Sequence, residues 1–222
     1  MSSPVPVVAI DGPSGSGKGT IAARLAQALG WHLLDSGALY RIVAACALSR
    51  GIPLDDEASL ARMATALEIR FEEERVLVDG TDVTETIRTE PVSAAASEVA
   101  ALGAVRAAIL DLQRSMRAPP GLVADGRDMG TVVFPDAPLK VYLDASAQVR
   151  AERRYKQLKN KGLSVSFRAL LANLVERDAR DRERAVSPLV PAQDALIIDS
   201  TDLGIEEVLN QVLTEVRDRH LN

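Results

Sequence analysis

One run near the N-terminus carries most of the chemistry that the sequence offers. Its residues are Gly12, Pro13, Ser14, Gly15, Ser16, Gly17, Lys18, Gly19 and Thr20. Closely spaced glycines let successive backbone N–H groups converge on the oxygens of an anion, and a helix that follows adds its positive N-terminal end. The lysine in such a run reaches the outer phosphates of a bound nucleotide. We therefore predict a phosphate-binding loop here.

The details of this loop favour a kinase over a GTP-dependent switch. Most such loops have a Ser or Thr directly after the lysine to bind magnesium, whereas here Gly19 follows and the hydroxyl comes next, at Thr20. Gly-Lys-Gly-Thr is typical of nucleotide kinases. The nearest match to a guanine-reading Asn-Lys-x-Asp motif, residues 160–163, lacks the aspartate. We predict ATP as the phosphoryl donor, and we assign no residue as a metal ligand.

Several arginines could hold a second, phosphate-bearing substrate, because a planar and permanently charged fork suits phosphate oxygens. Arg41 and Arg127 each follow a predicted strand closely. Three other charged side chains share one face of a predicted helix by their spacing: Arg177, Asp181 and Arg184. Four acids balance four arginines over residues 176–184, so a solvated helix with ion pairs is the simpler explanation of this segment. Both interpretations stay open.

A strongly basic run follows the predicted strand at residues 139–143. Residues 153–161 contain lysines and arginines but no acidic residue. A mobile lid that closes over phosphates has this composition, and so has the basic end of an ordinary helix. The run by itself does not separate these two interpretations.

The elements that position these residues alternate between strand and helix. Short apolar runs predict buried strands at residues 6–10, 31–34, 122–124, 139–143 and 195–198. Helical periodicity predicts helices at residues 18–29, 36–49, 91–100, 103–117 and 204–219, and a helical pair over 146–184. This rhythm predicts an α/β fold in which helices flank a parallel sheet, and the phosphate loop makes it one of the P-loop NTPase type. Ligands of such sheets bind beyond the carboxyl ends of the strands.

The pattern changes between residues 68 and 117. Residues 68–83 alternate between apolar and polar side chains, and Asp79-Gly80 is a turn sequence, so we predict a small antiparallel three-stranded sheet. Ala-rich helices follow it. We predict that residues 68–117 form an insert in a core made of residues 1–67 and 118–222.

Composition excludes several other classes of protein. The chain has 222 residues, of which 47% are apolar and 26% charged, as expected for a globular protein. Its net charge of −5 argues against binding to polymeric nucleic acid. A single cysteine and two distant histidines argue against a disulfide framework or a zinc site. No apolar run approaches the length of a membrane span and no long apolar stripe demands a partner, so we expect a cytoplasmic monomer.

Two further motifs make a family resemblance specific. They are Asp35-Ser36-Gly37-Ala38-Leu39-Tyr40-Arg41 and Asp125-Gly126-Arg127-Asp128-Met129-Gly130-Thr131. Together with residues 12–20, the insert and residues 177–188, they make the chain similar to the bacterial cytidylate kinases over essentially its whole length. The resemblance implies transfer of phosphate from ATP to CMP or dCMP with Mg²⁺. It also implies that the insert binds the nucleoside monophosphate (NMP).

The resemblance implies roles for individual residues as well. The loop would bind ATP, and Lys18, Arg127 and Arg184 would act on the transferring phosphate. The residues that would bind the acceptor nucleotide are Ser36, Arg41, Ser97, Arg106, Asp128, Arg177 and Asp181. Of these, Ser97, Arg106 and Asp128 would read cytosine, which presents one amino donor and two acceptors. Arg153 and Arg154 would belong to a short lid at about residues 150–165.

Two other functions remain open at this point. A shikimate-type or adenylate kinase shares residues 12–20 but gives no reason for residues 125–131 beside an insert. A nucleotide-binding regulator without catalytic activity needs no arginines for a second substrate. An assay of ADP release with several monophosphates would separate the three possibilities.

Overall fold

The computed structural model describes residues 5–72, 75–160 and 162–221. The strands are β1 (Val7–Asp11), β2 (His32–Asp35), β3 (Ile69–Glu72), β4 (Arg75–Val78), β5 (Thr81–Asp82), β6 (Leu122–Gly126), β7 (Leu139–Asp144) and β8 (Leu196–Asp199). The α-helices are α1 (Lys18–Leu29), α2 (Ser36–Arg50), α3 (Glu57–Ala66), α4 (Glu90–Val99), α5 (Gly103–Ser115), α6 (Ala147–Asn160), α7 (Phe167–Glu183) and α8 (Ile205–Asp218).

The chain divides into two compact units. The first comprises Met1–Leu34 and Met116–Asn222, and the second is Asp35–Ser115. The second unit contains the predicted insert but begins earlier, because α2 packs against α4, and α3 packs against α5. Residues 35–67 therefore group with the insert rather than with the core to which the sequence pattern assigned them.

A five-stranded parallel sheet is the centre of the first unit, in the order β2-β6-β1-β7-β8. All five residues of β1 are buried, as expected for a central strand covered on both faces. Helices α1 and α8 pack on it, and Ile21, Leu25 and Val212 join the core of strand side chains. The predicted α/β fold with a flanked parallel sheet is confirmed.

The register of this sheet brings two chemically important segments to one edge. Asp11, the last residue of β1, pairs with Gly126, the last residue of β6. Because the two strands are parallel, the phosphate loop after β1 and residues 127–131 after β6 start at the same edge. A π-type turn over Met129–Val133 then bends the second segment away from the strand direction.

The second unit contains the predicted antiparallel sheet, in which β4 lies between β3 and β5. Residues 73 and 74, predicted to join its first two strands, lie outside the described residues. Helix α3 was not predicted. Asp56 caps it by accepting a hydrogen bond from the Ser59 N–H, and its buried residues Leu60, Met63 and Ala64 have helical spacing, a signal too short to stand out.

No single helix of the described residues is both long and apolar enough to cross a membrane. Helices α4 and α5 reach that composition only when taken together, and they are bent by 101° at the break between them.

Candidate active site

The phosphate loop joins β1 to α1 and can leave the sheet because its first residue is glycine. Gly12 has a φ of +152°, and a Cβ atom there would lie 2.1 Å from the Leu143 carbonyl oxygen on the neighbouring strand. No larger residue fits this close approach. The rest of the loop runs directly into α1, so Lys18 is the first helical residue and Thr20 lies exposed in the first turn.

Lys18 is held against the loop rather than extended into solvent. Its side chain is largely buried, and Nζ donates to the Pro13 carbonyl oxygen at 3.2 Å and lies 4.0 Å from Asp125 Oδ1. The same carboxylate lies close to the glycine that follows the lysine. A Cβ atom on Gly19 would lie 3.1 Å from Asp125 Oδ2, so a serine or threonine there would require this carboxylate to shift by a few tenths of an ångström.

Asp11 ties the end of β1 to the turn that follows β6. The residue is buried, and its two carboxylate oxygens accept hydrogen bonds from the Met129 and Gly130 N–H groups, each at 2.8 Å. Burial raises the pKa of Asp11 to about 7. The two backbone hydrogen bonds oppose this rise, and the nearby Asp128 and Asp125 carboxylates add to it. Asp11 directly follows the strand predicted at residues 6–10, and sequence analysis assigned it no role.

A buried arginine–carboxylate pair lies just beyond this turn. Arg127 Nε donates to Asp181 Oδ2 at 2.8 Å, and the two side chains are only 16% and 7% exposed. Burial acts to lower the pKa of Arg127, but the carboxylates of Asp181, Asp125 and Asp11 together outweigh burial and the net shift is upward.

The residues around Asp181 were all predicted as site residues. Burial acts to raise the pKa of Asp181, but Arg127, Arg177 and Arg184 together lower it. Arg184 is buried, follows the last residue of α7, and donates through Nε to the Ser187 carbonyl oxygen. The structure therefore brings these four residues together.

Solvated ion pairs explain only part of this helix. Arg180 pairs with the exposed Glu176 one turn earlier, at 2.8 Å, as that interpretation expects. Asp181 instead faces inward and pairs with Arg127, which comes from another part of the chain.

Asp128, in the turn that follows β6, is also buried. Its backbone oxygen accepts hydrogen bonds from the N–H groups of Val132 and Val133 in the same turn.

The predicted lid arginines have different surroundings. Arg153 donates to the Ser16 carbonyl oxygen at 3.3 Å and to the Ser200 carbonyl oxygen at 2.6 Å, so its guanidinium lies against the phosphate loop. Arg154 donates to Gln157 on its own helix at 2.6 Å. Both belong to α6, and Lys161, the last residue of the basic run, lies outside the described residues.

In the second unit, Asp35 organises two of the predicted residues. Its Oδ1 accepts the Ala38 N–H at 2.9 Å and so caps α2, while Oδ2 accepts a hydrogen bond from Arg41 at 2.7 Å. Ser36 is buried, and its hydroxyl accepts a hydrogen bond from Gln113 at 2.8 Å. Sequence reasoning gave neither Asp35 nor Gln113 a part in the site.

Ser97 and Arg106 are buried near the junction of α4 and α5. Arg106 donates to the Ala100 carbonyl oxygen at 3.1 Å, and its guanidinium carbon lies 5.5 Å from the centre of the Tyr40 ring, a cation–π contact. Tyr40 was not predicted as a site residue.

The sequence did contain a signal that Gln113 is buried. Gln113 follows the buried Val105 and Ile109 at intervals of four on the apolar face of α5.

A metal ion at the first unit's edge would depend on the nucleotide for most of its ligands. Within residues 5–72, 75–160 and 162–221, no group of three or more His, Cys, Asp or Glu could hold one. Mg²⁺ commonly takes one or two protein oxygens and completes its shell with phosphates and water. Asp125, beside Lys18, and the exposed hydroxyl of Thr20 fit that description.

The parallel sheet, the loop between β1 and α1 with its buried lysine, and the arginine cluster define a P-loop phosphotransferase. The family model described as cytidylate kinase matches residues 8–218. The cytidylate kinase of Stutzerimonas stutzeri is 57% identical, covering 100% of this chain and 99% of that protein. The cytidylate kinase of Aeromonas salmonicida is 56% identical over 96% and 94%. The chain therefore belongs to the cytidylate kinase family.

The solved structures that match this chain by shape are more distant from it in sequence. A gluconokinase from Sinorhizobium meliloti is 18% identical and has a TM-score of 0.46, over 98% of this chain and 94% of that one. Membership of the family is shown by the family model and by the sequence relatives.

Proposed function

We propose that this chain transfers the terminal phosphate of ATP to CMP and dCMP. The observation that carries the proposal is the cluster of one buried and two half-buried arginines around Asp181, in a member of the cytidylate kinase family that has a complete phosphate loop. A protein that only binds ATP needs no such arginine cluster beyond its phosphate loop. Burying several cations together is costly, so their presence argues for an anionic partner.

The phosphate loop and Lys18 would hold the phosphates of ATP. Backbone N–H groups and the N-terminal end of α1 bind the oxygens, and the ammonium group neutralises charge as the phosphoryl group moves. When bound, Mg²⁺ would neutralise charge on the donor phosphates, and Asp125 and Thr20 are the groups of this chain that would hold it.

The acceptor needs no side chain that removes a proton. The attacking oxygen of CMP belongs to a phosphate and is already anionic, so catalysis depends on positioning and on neutralising charge. Arg127 and Arg184 would stabilise the transferring group. Arg41 would bind the acceptor phosphate, and Arg177 and Asp181 its sugar. Asp181 holds Arg127 by its Nε and so fixes the direction of that guanidinium.

Base selection would follow from hydrogen-bonding capacity. The Asp128 carboxylate can accept from the amino group of cytosine, and Ser97 and Arg106 can donate to its ring acceptors. Ser36 would lie beside the same nucleotide. Uracil presents an oxygen where cytosine has its amino group, so a carboxylate there disfavours UMP.

A coupled assay of ADP release tests the proposal. CMP, dCMP, UMP, AMP and GMP are each supplied with ATP and Mg²⁺, and we expect turnover with CMP and dCMP to exceed all others. Preference for AMP would indicate an adenylate kinase, and no turnover with any monophosphate would indicate a regulator.

We further propose that the protein is a cytoplasmic monomer that acts on mononucleotides and not on polymeric nucleic acid. Size-exclusion chromatography would check the oligomeric state, and a binding assay with duplex DNA would check the absence of nucleic-acid binding.

A further inference from the structure

The carbonyl groups of the phosphate loop are held by side chains from distant parts of the first unit. The Ser14 oxygen accepts a hydrogen bond from Arg150 Nη1 at 2.8 Å. The Ser16 oxygen accepts from Arg153 at 3.3 Å and from the Ser200 hydroxyl at 3.1 Å. Both arginines lie on α6, one turn apart.

These contacts bear on phosphate binding through the geometry of the peptide bond. In a trans peptide the C=O group and the N–H group of the next residue point in opposite directions. A donor that holds the Ser14 oxygen therefore turns the Gly15 N–H away from α6, and the donors on the Ser16 oxygen do the same for the Gly17 N–H. N–H groups aimed in this way are the ones that bind an anion.

Arg150 is a buried residue that joins the loop to two other segments of the first unit. The residue is 2% exposed, and its Nε donates to the Ala145 carbonyl oxygen at 2.9 Å. Its Nη1 and Nη2 both pair with the buried Asp178 carboxylate on α7. A Cβ atom on Gly15 would lie 3.1 Å from Arg150 Cβ, so the absence of a side chain lets the helix approach the loop.

We propose that Arg150 is a positioning residue, whose hydrogen bond to the Ser14 carbonyl keeps the loop N–H groups directed at the donor phosphates. Asp178 orients Arg150, and it also links the loop to α7, the helix that carries Arg177 and Asp181. The proposal rests on the proposed function, because it concerns how ATP is held. It assigns Arg150 no contact with substrate.

A purely structural ion pair is the alternative, and a double variant separates the two. Removing Arg150 alone leaves the Asp178 carboxylate buried without this partner, which can unfold a protein whatever happens at the loop. Replacing both, as Arg150→Met with Asp178→Leu, removes the pair and leaves apolar groups of similar size, which is often neutral for stability. The Ser14 carbonyl then has no arginine to hold it.

Calorimetric titration of the full chain with ATP and with CMP is the measurement. For the double variant we expect a wild-type melting temperature, an ATP Kd raised about 10–100-fold, and a CMP Kd within about threefold of wild type. An unchanged ATP Kd would overturn the proposal. Equal weakening of ATP and CMP would overturn it as well, because the pair would then only support the fold.

Arg117 supplies a matched control in the same unit. It also joins a backbone oxygen to a carboxylate, donating to the Val5 carbonyl and to Asp136, each at 2.7 Å, but away from the loop. Arg117→Met should leave the ATP Kd unchanged.

Inorganic triphosphate is the second probe, because the loop binds phosphate groups whatever nucleotide carries them. If the wild-type protein binds triphosphate but does not phosphorylate CMP, the proposed function is wrong. The proposal for Arg150 is then still decided by whether the double variant binds triphosphate more weakly than wild type does.

Discussion

The two units arrange their candidate residues in different ways. In the first unit the decisive contacts join residues far apart in the chain, as when Asp11 accepts from Met129, Arg127 pairs with Asp181, and Arg150 holds Ser14. In the second unit Asp35 caps its own helix, and Arg106 donates to Ala100, six residues earlier. Its contacts between distant candidate residues include a hydrogen bond of two neutral side chains, Gln113 and Ser36, and a cation–π contact between Arg106 and Tyr40.

This difference suggests a division of labour. Phosphoryl transfer requires charges placed to within a fraction of an ångström, and contacts between several buried elements give that precision. Recognition of an acceptor tolerates small adjustments, so it depends less on buried charge pairs. We expect changes beside the phosphate loop of the first unit to lower turnover, and changes in the second unit to weaken binding of the acceptor.

The largest effect is expected from Lys18→Met. Loss of the ammonium group removes charge neutralisation during transfer, so kcat should fall by about 10³-fold or more while circular dichroism and the melting temperature stay close to wild type. Stopped-flow or coupled kinetics with saturating ATP and CMP give kcat. A near-normal kcat would mean that the phosphate loop does not act on the transferring group.

Asp11→Asn tests whether the long-range contacts of the first unit set its precision. Asparagine keeps one acceptor oxygen, and its NH₂ group then faces one of the Met129 and Gly130 N–H donors. Displacement of the following turn should lower kcat/KM for CMP by about 10²-fold.

Asp199→Asn is the matched control for this change. Asp199 also ends a strand and accepts one backbone N–H, from Thr201 at 2.9 Å, but it is exposed. Its replacement should change kcat/KM less than twofold or so, the ordinary range for a surface substitution. Equal losses in the two variants would remove the special role of Asp11.

Asp128→Ala addresses base selection from the first unit. We expect loss of about 1–3 kcal/mol of transition-state stabilisation in kcat/KM for CMP, together with a smaller gap between CMP and UMP. Steady-state kinetics with both nucleotides provide the ratio. A CMP/UMP ratio equal to that of wild type would show that Asp128 does not read the base.

The pH dependence of stability tests the environment of Asp11. Its pKa is about 7 in the folded protein and near 3.8 in the unfolded chain. The folded state therefore binds more protons between these values, so its stability falls as pH rises from 4 through 7. The free energy of unfolding should drop by about 2 kcal/mol between pH 5 and pH 7.5, and Asp11→Asn should flatten this dependence in urea titrations. The same slope in both proteins would assign the effect to other groups.

The smallest effect is expected from Gln113→Leu in the second unit. The buried Ser36 hydroxyl loses the donor that orients it, at a cost of about 1 kcal/mol. KM for CMP should rise about fivefold with kcat nearly unchanged. A loss confined to kcat would contradict the proposed division between the two units.

Much of the fold could be read from local sequence patterns. The strands of the parallel sheet and helix α1 were predicted to within two residues or so, because buried apolar runs and helical periodicity are local signals. Helix α3 was not predicted because its apolar face is short. The start of the second unit at Asp35 was not predicted because the packing of α2 against α4 is not indicated by the sequence of either helix.

A short stretch of sequence is enough to specify the chemistry of the phosphate loop. Glycine spacing, the lysine and the strand–helix context are all contained in residues 7–29, and the backbone follows from them. Tertiary structure alone decided what Asp11, Arg150 and Gln113 do. Each is a common residue type whose role comes from a partner more than 70 positions away, as with Gln113 and Ser36 at 77. Burial makes such partners necessary, because a polar group removed from water must find one wherever the fold brings it.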